Sequence, residues 1–202
     1  MTATDPPYQS LDLRRVARVQ PGYLSRARVR SSPAGTHLLL QARDVSPENG
    51  LRLGAAVRFM PERDADLYRV SRGDILLTAR GQDHRAHLVD MDLEDVLASS
   101  VFYIIRPREG MLPGYLAWWL NQPATQAALG AASSGTGIGY IARPLMEHLP
   151  VVVPPLDVQR RIAEVMNLWR RQRSLQARLD QIREQLIHAV CRQAVQQEGM
   201  IP

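Results

Sequence analysis

The sequence predicts an α+β fold in which a mixed, β-rich domain over residues 1–154 precedes one long helix over residues 155–198 and a short tail over residues 199–202. Short apolar runs bounded by Gly, Pro and polar turns fill the first three quarters of the chain, as expected for short strands. After Pro155, neither Pro nor Gly occurs until Gly199, and the residues between them are good helix formers.

The apolar runs, each bounded by turn residues, define the order of elements. A lead-in over residues 11–23 predicts a short strand or turn. Strands are then predicted at residues 35–45, 51–60, 67–70, 71–81, 87–92, 99–107 and 150–154. Two short helices at residues 112–122 and 124–132, and a helical turn at residues 143–149, are predicted between the last two strands.

The predicted C-terminal helix carries an apolar stripe that no second long helix in the chain could cover. At 1.5 Å per residue, about 40 residues span roughly 60 Å, far more than the preceding domain needs. Steps of three and four residues in its second half form a heptad seam, with a phase slip between Trp169 and Leu175. The stripe predicts pairing of residues 156–195 with a second copy or another protein, and folding back on the domain is the alternative. The residues assigned to this pairing are Ile162, Val165, Trp169, Leu175, Leu179, Ile182 and Leu186.

The composition is that of a globular protein with a basic surface. Of the 202 residues, 45% are hydrophobic, and the formal net charge of +5 favours a polyanionic partner. All 25 basic residues are Arg, which fits either a GC-rich genome or a surface that contacts phosphate and guanine. Because Lys is absent, P-loop nucleotide binding, Schiff-base chemistry and nucleases built on two acids and a Lys are poor candidates.

The sequence shows no secretory signal and no membrane-spanning segment, so the cytoplasm is the expected compartment. No apolar run approaches ~20 residues. The N-terminus lacks the basic and apolar segments of a secretory signal. Cys191 is the single Cys and has no second Cys to pair with.

The tetrapeptide Asp5-Pro6-Pro7-Tyr8 resembles the signature with which DNA methyltransferases bind the amino group of a flipped base. Such an enzyme also needs a strand, a Gly-rich loop and a helix to bind S-adenosylmethionine. No such unit follows at the right place. The tetrapeptide is therefore interpreted as an extended lead-in, with catalysis through Asp5 and Tyr8 as the alternative.

Polar side chains suited to reading base edges follow the predicted strand at residues 71–81. Arg can bind guanine, and Gln adenine, through paired hydrogen bonds. The candidates for this role are Arg80, Gln82, His84 and Arg85. A solvated hairpin loop is the alternative, and a metal site at Asp83, His84 and His87 has only weak support from its spacing.

The run GTGIGYIARPLMEHLPVVVPPLDVQRRIAEVMN, residues 135–167, resembles the end of a target-recognition domain in the specificity subunits of type I restriction–modification systems. GDILLTARG, residues 73–81, resembles that family's Gly-Asp strand, and PGYLAWWLN, residues 113–121, its aromatic helix. The order and spacing agree over residues 11–195. PPLDVQRRIA is the most specific of these motifs.

The resemblance implies an α+β recognition domain followed by a helix, and a non-catalytic role in DNA sequence recognition. Full-length subunits of the family carry two such units, whose helices form an antiparallel coiled coil. This chain has one unit and resembles a half subunit, so two copies would rebuild the family architecture and direct a methyltransferase to a bipartite palindromic site.

The partners implied by the resemblance are double-stranded DNA, a DNA methyltransferase subunit and a restriction subunit. No cofactor is expected on this chain, since S-adenosylmethionine would bind the methyltransferase. The alternatives are a stand-alone dimeric DNA-binding regulator or defence protein, and a coiled-coil interaction module with a vestigial recognition domain.

Three further groups are candidates for DNA contact, the first two because of the resemblance and the third because of its own alternating pattern. It places the Gly-rich loop at residues 133–140 beside the DNA, where Ser133, Ser134 and Thr136 would bind phosphates. A tight structural turn is the alternative there. Gln41 and Arg43 end a strand of a type that can face DNA, with an Arg43–Asp44 ion pair as the alternative. Arg30, in an alternating trio with Arg26 and Arg28, would track a phosphate backbone or simply be solvated.

Overall fold

The computed structural model describes residues 8–25, 28–46, 50–62, 65–81, 83–134 and 139–197. Within these ranges the strands are β1 Gln9–Asp12, β2 Ala17–Pro21, β3 His37–Leu40, β4 Val45–Ser46, β5 Gly50–Leu51, β6 Val57–Phe59, β7 Ile75–Thr78, β8 Ala86–Leu88, β9 Val96–Ala98, β10 Phe102–Pro107, β11 Ser133–Ser134, β12 Tyr140–Ile141 and β13 Pro150–Val153. The α-helices are α1 Leu13–Val16, α2 Pro113–Leu120, α3 Pro123–Ala132, α4 Arg143–Glu147 and α5 Leu156–Gln197. Single-turn 3₁₀ helices lie at Ala42–Asp44, Leu53–Ala55 and Asp66–Tyr68. The α+β class and the long C-terminal helix are confirmed.

A four-stranded antiparallel sheet with the order β2-β10-β7-β8 forms the centre of the fold. Successive side chains of its buried strands point to opposite faces, so each strand contributes to two cores. One core receives Ile75, Leu77, Tyr103 and Ile105. The other receives Leu76, Phe102 and Ile104. The continuous apolar runs at residues 75–78 and 102–105 are therefore explained by burial on both faces.

Helices cover the first face of this sheet, and a smaller sheet covers the second. Leu13 of α1, Tyr115 and Leu116 of α2 and Met146 of α4 are all buried in the first core. The smaller sheet has the order β6-β3-β9, with β3 and β9 parallel. Its Leu40 packs in the second core. The central strands are thus held on both sides, which fixes the position of the loops at their ends.

The prediction of a strand at residues 67–70 is wrong, and the strand β9 was missed. Asp66–Tyr68 form a 3₁₀ turn, and Arg69 makes only an isolated bridge, to Leu97. The Arg69 guanidinium contacts the carboxylates of Asp66, at 2.8 Å, and Asp95, at 2.6 Å, which ties the turn to the start of β9. Asp95 has a positive φ of 51°. β9 has only three apolar residues and is flanked by charged and turn-forming residues, so the apolar pattern is too short to predict a strand there.

Candidate nucleic-acid interface

The loop between β7 and β8 is joined by backbone hydrogen bonds to the residues that follow the Gly-rich segment. Ile141 N donates to the Ala79 carbonyl at 3.1 Å, and Gly81 N donates to the Gly139 carbonyl at 3.0 Å. Gly81 has a φ of 112°, a conformation open to glycine and strained for other residues. Two stretches singled out in the sequence, more than 50 positions apart, therefore form one surface, which we call the loop platform (residues 79–81, 83–85 and 139–141).

Arg80 is the central exposed side chain of the loop platform. Its backbone forms an antiparallel bridge with Tyr140, and its guanidinium carbon lies 5.3 Å from the centroid of the Tyr140 ring. The Tyr140 hydroxyl lies 2.8 Å from that of Tyr103, which donates to the Ile141 carbonyl, also at 2.8 Å. Burial raises the pKa of Tyr103, and hydrogen bonding to Tyr140 adds to the effect, so the Tyr103 hydroxyl stays protonated.

Arg85 lies at the other end of the loop, where two amide side chains hold the backbone. β8 is an edge strand, so the outward N–H and C=O of Ala86 lack a neighbouring strand. Asn121 takes the place of one: Oδ1 accepts from Ala86 N at 3.1 Å, and Nδ2 donates to the Ala86 carbonyl at 2.7 Å. Gln126 Nε2 donates to the carbonyl of His84 at 2.8 Å. The corner between α2 and α3 therefore sets the path of the chain through Arg85.

Asn121→Ala is expected to loosen this end of the loop platform. It would leave two buried or half-buried backbone groups of Ala86 without partners, at a cost of about 2 kcal/mol in the free energy of unfolding. Denaturant titration measures this cost, and faster amide exchange at Ala86 would locate it. Gln122→Ala is the matched control, because the Gln122 side chain contacts only the Trp118 carbonyl of its own helical turn, at 3.3 Å. Equal losses in both variants would contradict the role given to Asn121.

His84 is withdrawn from the set of DNA-contacting candidates because its side chain is 2% exposed. Nδ1 lies 3.0 Å from the Thr78 carbonyl, across the base of the hairpin. The ring therefore supports the loop from inside. Its contacts are those of a structural residue.

The Gly-rich segment is described only in part. Gln82 and Thr136 lie outside the described residues, as does the side chain of Ser134. Ser133 begins β11, and its Oγ is buried without a hydrogen-bond partner among the described residues. A Cβ at Gly139 would lie 2.1 Å from that oxygen, so a side chain there would displace the Ser133 hydroxyl.

The other candidates belong to different parts of the fold. Gln41 caps the 3₁₀ turn after β3, and its backbone N–H donates to Asp44 Oδ2 at 2.9 Å. Arg43 is exposed, with Nε 3.8 Å from Asp44 Oδ1, so the ion pair weighed as the alternative is present at a long distance. Arg30 is exposed and, with Arg28 and other side chains, lines a cleft of about 360 Å³. No recorded contact joins Arg30, Gln41 or Arg43 to the loop platform within the described ranges.

The start of α5 is fixed to the domain by a buried amide. Gln159 is 1% exposed, and its Oε1 accepts from Leu112 N at 2.9 Å. Its Nε2 donates to the carbonyls of Pro154, at 2.9 Å, and Gly110, at 3.1 Å. One turn later, α2 and α5 approach so closely that a Cβ at Gly114 would lie 2.9 Å from the Cβ of Ala163. The direction of α5 is therefore set by its first two turns.

The rest of α5 has two distinct faces. Half-buried or buried positions recur on one side, which includes Gln159, Ile162 and Met166. The opposite side carries an exposed stripe with alternating steps of three and four residues. We call it the seam, and it consists of Val165, Leu168, Gln172, Leu175, Leu179, Ile182, Leu186 and Ala189.

This arrangement removes Ile162 from the residues assigned to pairing, and the exposed stripe has no phase slip when Leu168 replaces Trp169 in it. Ile162 packs against the core of its own domain. Trp169 lies beside the seam, with the Arg173 guanidinium carbon 5.0 Å from its ring centroid. Leu168 takes its place in the seam, seven residues before Leu175 and 65% exposed. The seam therefore runs without interruption from Val165 to Ala189.

Three solved structures share this fold over most of the chain. The S subunit of a type I restriction–modification system from M. genitalium aligns with a TM-score of 0.62 and 14% identity, over 92% of this chain and 45% of that subunit. The HsdS subunit from Thermoanaerobacter tengcongensis aligns with a TM-score of 0.58 and 16% identity, over 88% and 41%. A chain from a structural study of complex assembly and conformational transition in the type I R-M system aligns with a TM-score of 0.64 and 16% identity, over 93% and 45%.

The chain has the fold of a type I specificity subunit. It spans less than half the length of the chains it matches. No protein-family model matches the sequence, and no curated protein gives a significant match. None of the described helices is long and apolar enough to cross a membrane.

Sequence reasoning missed four residues that build these surfaces. Tyr140 was seen only as the end of a Gly-rich loop, and nothing local in the sequence connects it to Arg80. Asn121 and Gln126 contact residues 35 and 42 positions away, which no short pattern reveals. Leu168 could have been predicted from the sequence, because it lies one heptad (seven residues) before Leu175.

Proposed function

We propose that this protein is a non-catalytic DNA sequence-recognition subunit of a type I-like restriction–modification system. It would act as a homodimer of half subunits that directs a DNA methyltransferase subunit, and in a complete system a restriction subunit, to a bipartite site on double-stranded DNA. The observation that carries the proposal is the specificity-subunit fold, present as a single unit whose long helix leaves its apolar seam uncovered. S-adenosylmethionine would bind the methyltransferase.

The loop platform is the surface best suited to DNA. It presents Arg80 and Arg85 on backbone segments that are held in place at both ends of the loop. Arginine binds phosphates and guanine edges, and the charge of +5 favours association with a polyanion. Two platforms related by a twofold axis would contact two half-sites of a palindromic sequence.

The seam is self-complementary when two copies run antiparallel. With Leu175 set against Leu179 of the second copy, Leu168 meets Leu186 and Val165 meets Ala189 of that copy. Gln172 then meets Ile182, the one polar contact in the seam. Sliding one helix by seven residues in either direction would set a seam leucine against a polar residue, either Leu186 against Arg161 or Leu168 against Gln193. The register given above avoids both contacts.

Charges beside the seam favour the same register. In it, the exposed Glu164 of each copy faces the exposed Arg192 of the other, giving two symmetric attractive pairs. Arg178 faces its own counterpart at the twofold axis, a repulsion between solvated charges that acts once. A parallel pair would instead set Arg178 near Arg183 twice and leave Glu164 without Arg192. The antiparallel arrangement therefore has the better charge balance.

Charge reversal tests this register. Glu164→Arg and Arg192→Glu are each expected to weaken the dimer about tenfold at low salt, because each replaces two attractive pairs with two repulsive ones. The double variant is expected to regain the wild-type dissociation constant, measured by sedimentation equilibrium. Glu184→Arg combined with Arg192→Glu is the control, since Glu184 lies away from the seam and should give no rescue. Absence of rescue in the first pair would refute the antiparallel register.

Selection from a random duplex DNA library, with and without the methyltransferase subunit expected from a neighbouring gene, tests the function. Enrichment of a spaced palindrome only with the methyltransferase supports the proposal. Enrichment by the chain alone would point instead to a stand-alone DNA-binding regulator or defence protein. If neither condition enriches a sequence, the chain would be an interaction module with a vestigial recognition domain.

A further inference from the structure

The two exposed arginines of the loop platform are held differently. Arg80 is bridged to Tyr140 through its backbone, and its guanidinium stacks on the Tyr140 ring. The backbone around Arg85 is fixed by Asn121 and Gln126. The Arg85 side chain, by contrast, makes no hydrogen bond, ion pair or ring contact with the described residues. One guanidinium is thus oriented before DNA arrives, and the other is free to rotate.

The orientation of Arg80 derives from the buried core through two tyrosines. The Tyr103 side chain is completely buried, and its hydroxyl donates to the Ile141 carbonyl. Because the proton of that hydroxyl is engaged by the Ile141 carbonyl, its oxygen accepts a hydrogen bond from the Tyr140 hydroxyl, with 2.8 Å between the two oxygens. The Tyr140 ring is therefore held at its far end by the core while its face supports Arg80. Cation–π stacking restricts the guanidinium plane as well as its position.

This difference in preorganisation decides which contact each arginine suits. A guanine edge requires a guanidinium fork in one plane, and a fork already oriented loses less side-chain entropy on binding. A phosphate accepts a donor from many directions, so a mobile arginine serves there.

On these grounds, which rest on the proposed function, we infer that Arg80 is the specificity-determining arginine of the loop platform and reads a guanine edge. Tyr140 and Tyr103 are its positioning residues. Arg85 contributes a phosphate contact that is independent of sequence.

The inference is tested by repeating the random-duplex selection with Arg80→Lys and Arg85→Lys. Lys keeps the charge and loses the planar fork. Arg80→Lys is expected to remove the preference for G·C at one position in each half-site, a loss of discrimination of about tenfold or more. Arg85→Lys should leave the selected sequence unchanged. Arg85→Ala should weaken binding to all duplexes alike and lower the slope of affinity against salt by about one charge per contact.

Variants of Tyr140 test the positioning role. Tyr140→Phe keeps the aromatic face but removes the hydroxyl contact with Tyr103, so its discrimination between the selected duplex and a single G·C substitution should fall between those of wild type and Tyr140→Leu. Tyr140→Leu removes the face and should relax specificity at the same base pair as Arg80→Lys. The double variant Tyr140→Leu with Arg80→Lys should be no less specific than Arg80→Lys alone, because Tyr140 acts through Arg80. A purely structural tyrosine would instead lower affinity for every duplex and add to the effect of Arg80→Lys.

The outcomes separate this inference from the function on which it rests. If wild type selects a site and Arg80→Lys selects the same site with equal discrimination, the assignment of Arg80 is wrong while DNA recognition stands. If Arg85→Lys loses the base preference, the two arginines have exchanged roles and the inference is equally refuted. If wild type selects no site with the methyltransferase present, the proposed function itself fails.

Discussion

Leu179→Asp combined with Leu186→Asp is expected to yield a soluble monomer, whereas the wild-type chain is expected to form a dimer. In the antiparallel register these residues meet Leu175 and Leu168 of the second copy, so the substitutions place carboxylates in four layers of one dimer. A charge buried without a partner costs several kcal/mol, and about 4 kcal/mol already weakens association roughly a thousandfold. Sedimentation velocity at micromolar concentration would show a single species of monomer mass.

The domain itself should be unaffected by this double substitution. Both leucines lie on the side of α5 opposite the face that packs on the domain, and they are 48% and 62% exposed. Thermal unfolding of the β-rich domain should therefore match wild type. Ile187→Asp is the matched control, because Ile187 is also 62% exposed but lies off the seam. If Ile187→Asp dissociates the dimer equally, or the double variant stays dimeric, the seam is misplaced.

Loss of the dimer should change the DNA target in a defined way. A monomer still carries one complete loop platform, and the two platforms share no residue. The monomeric variant should therefore retain a preference for one half-site and lose the dependence on half-site spacing. Its affinity should fall because the second half-site no longer adds to the first. A spaced palindrome selected unchanged by a proven monomer would mean that the partner subunits, and not the helix, set the spacing.

The long helix could be predicted from sequence because its determinants are local. Forty-two residues without Pro or Gly and with high helix propensity need no tertiary contact to indicate their structure. The sequence alone could not decide between Trp169 and Leu168 for the seam, since any apolar residue fits a stripe until the packed side of the helix is known. The Gln159 contacts supply that knowledge, and they depend on Gly110 and Leu112, which lie 49 and 47 positions away.

The strands were predicted less well than the helix, and the loop platform could not be predicted as a surface. Apolar runs identified β7 and β10 as strands. Their pairing in the sheet order β2-β10-β7-β8 joins strands that are not consecutive in the chain, and a local sequence pattern does not reveal such a pairing. Arg80 and the Gly-rich segment were each proposed for DNA contact from residue type and resemblance. Arg80 and the Gly-rich segment lie on one surface because Arg80 forms a backbone bridge with Tyr140, and this bridge forms only when both segments are packed on the sheet.

Gln159→Leu is expected to lower the free energy of unfolding by about 3 kcal/mol, although Leu is of similar size and suits a helix. The cost arises from three backbone partners, the N–H of Leu112 and the carbonyls of Gly110 and Pro154, which lose their hydrogen bonds in a buried place. For a chain of this length, that corresponds to a fall in Tm of roughly 6–12 °C. Differential scanning calorimetry measures it directly.

The same substitution on the free part of α5 should cost little, which makes Gln176→Leu the control. The Gln176 side chain is exposed and contacts only Asp180 of its own helix. Because Gln159 fixes the direction in which α5 leaves the domain, Gln159→Leu should also blur the distance between two recognition units without weakening the seam. Selection with the dimeric Gln159→Leu protein, below its lowered Tm, should then yield the same half-sites with a broadened spacing. A sharp wild-type spacing would show that α5 keeps its direction through Gly114 and Ala163 alone.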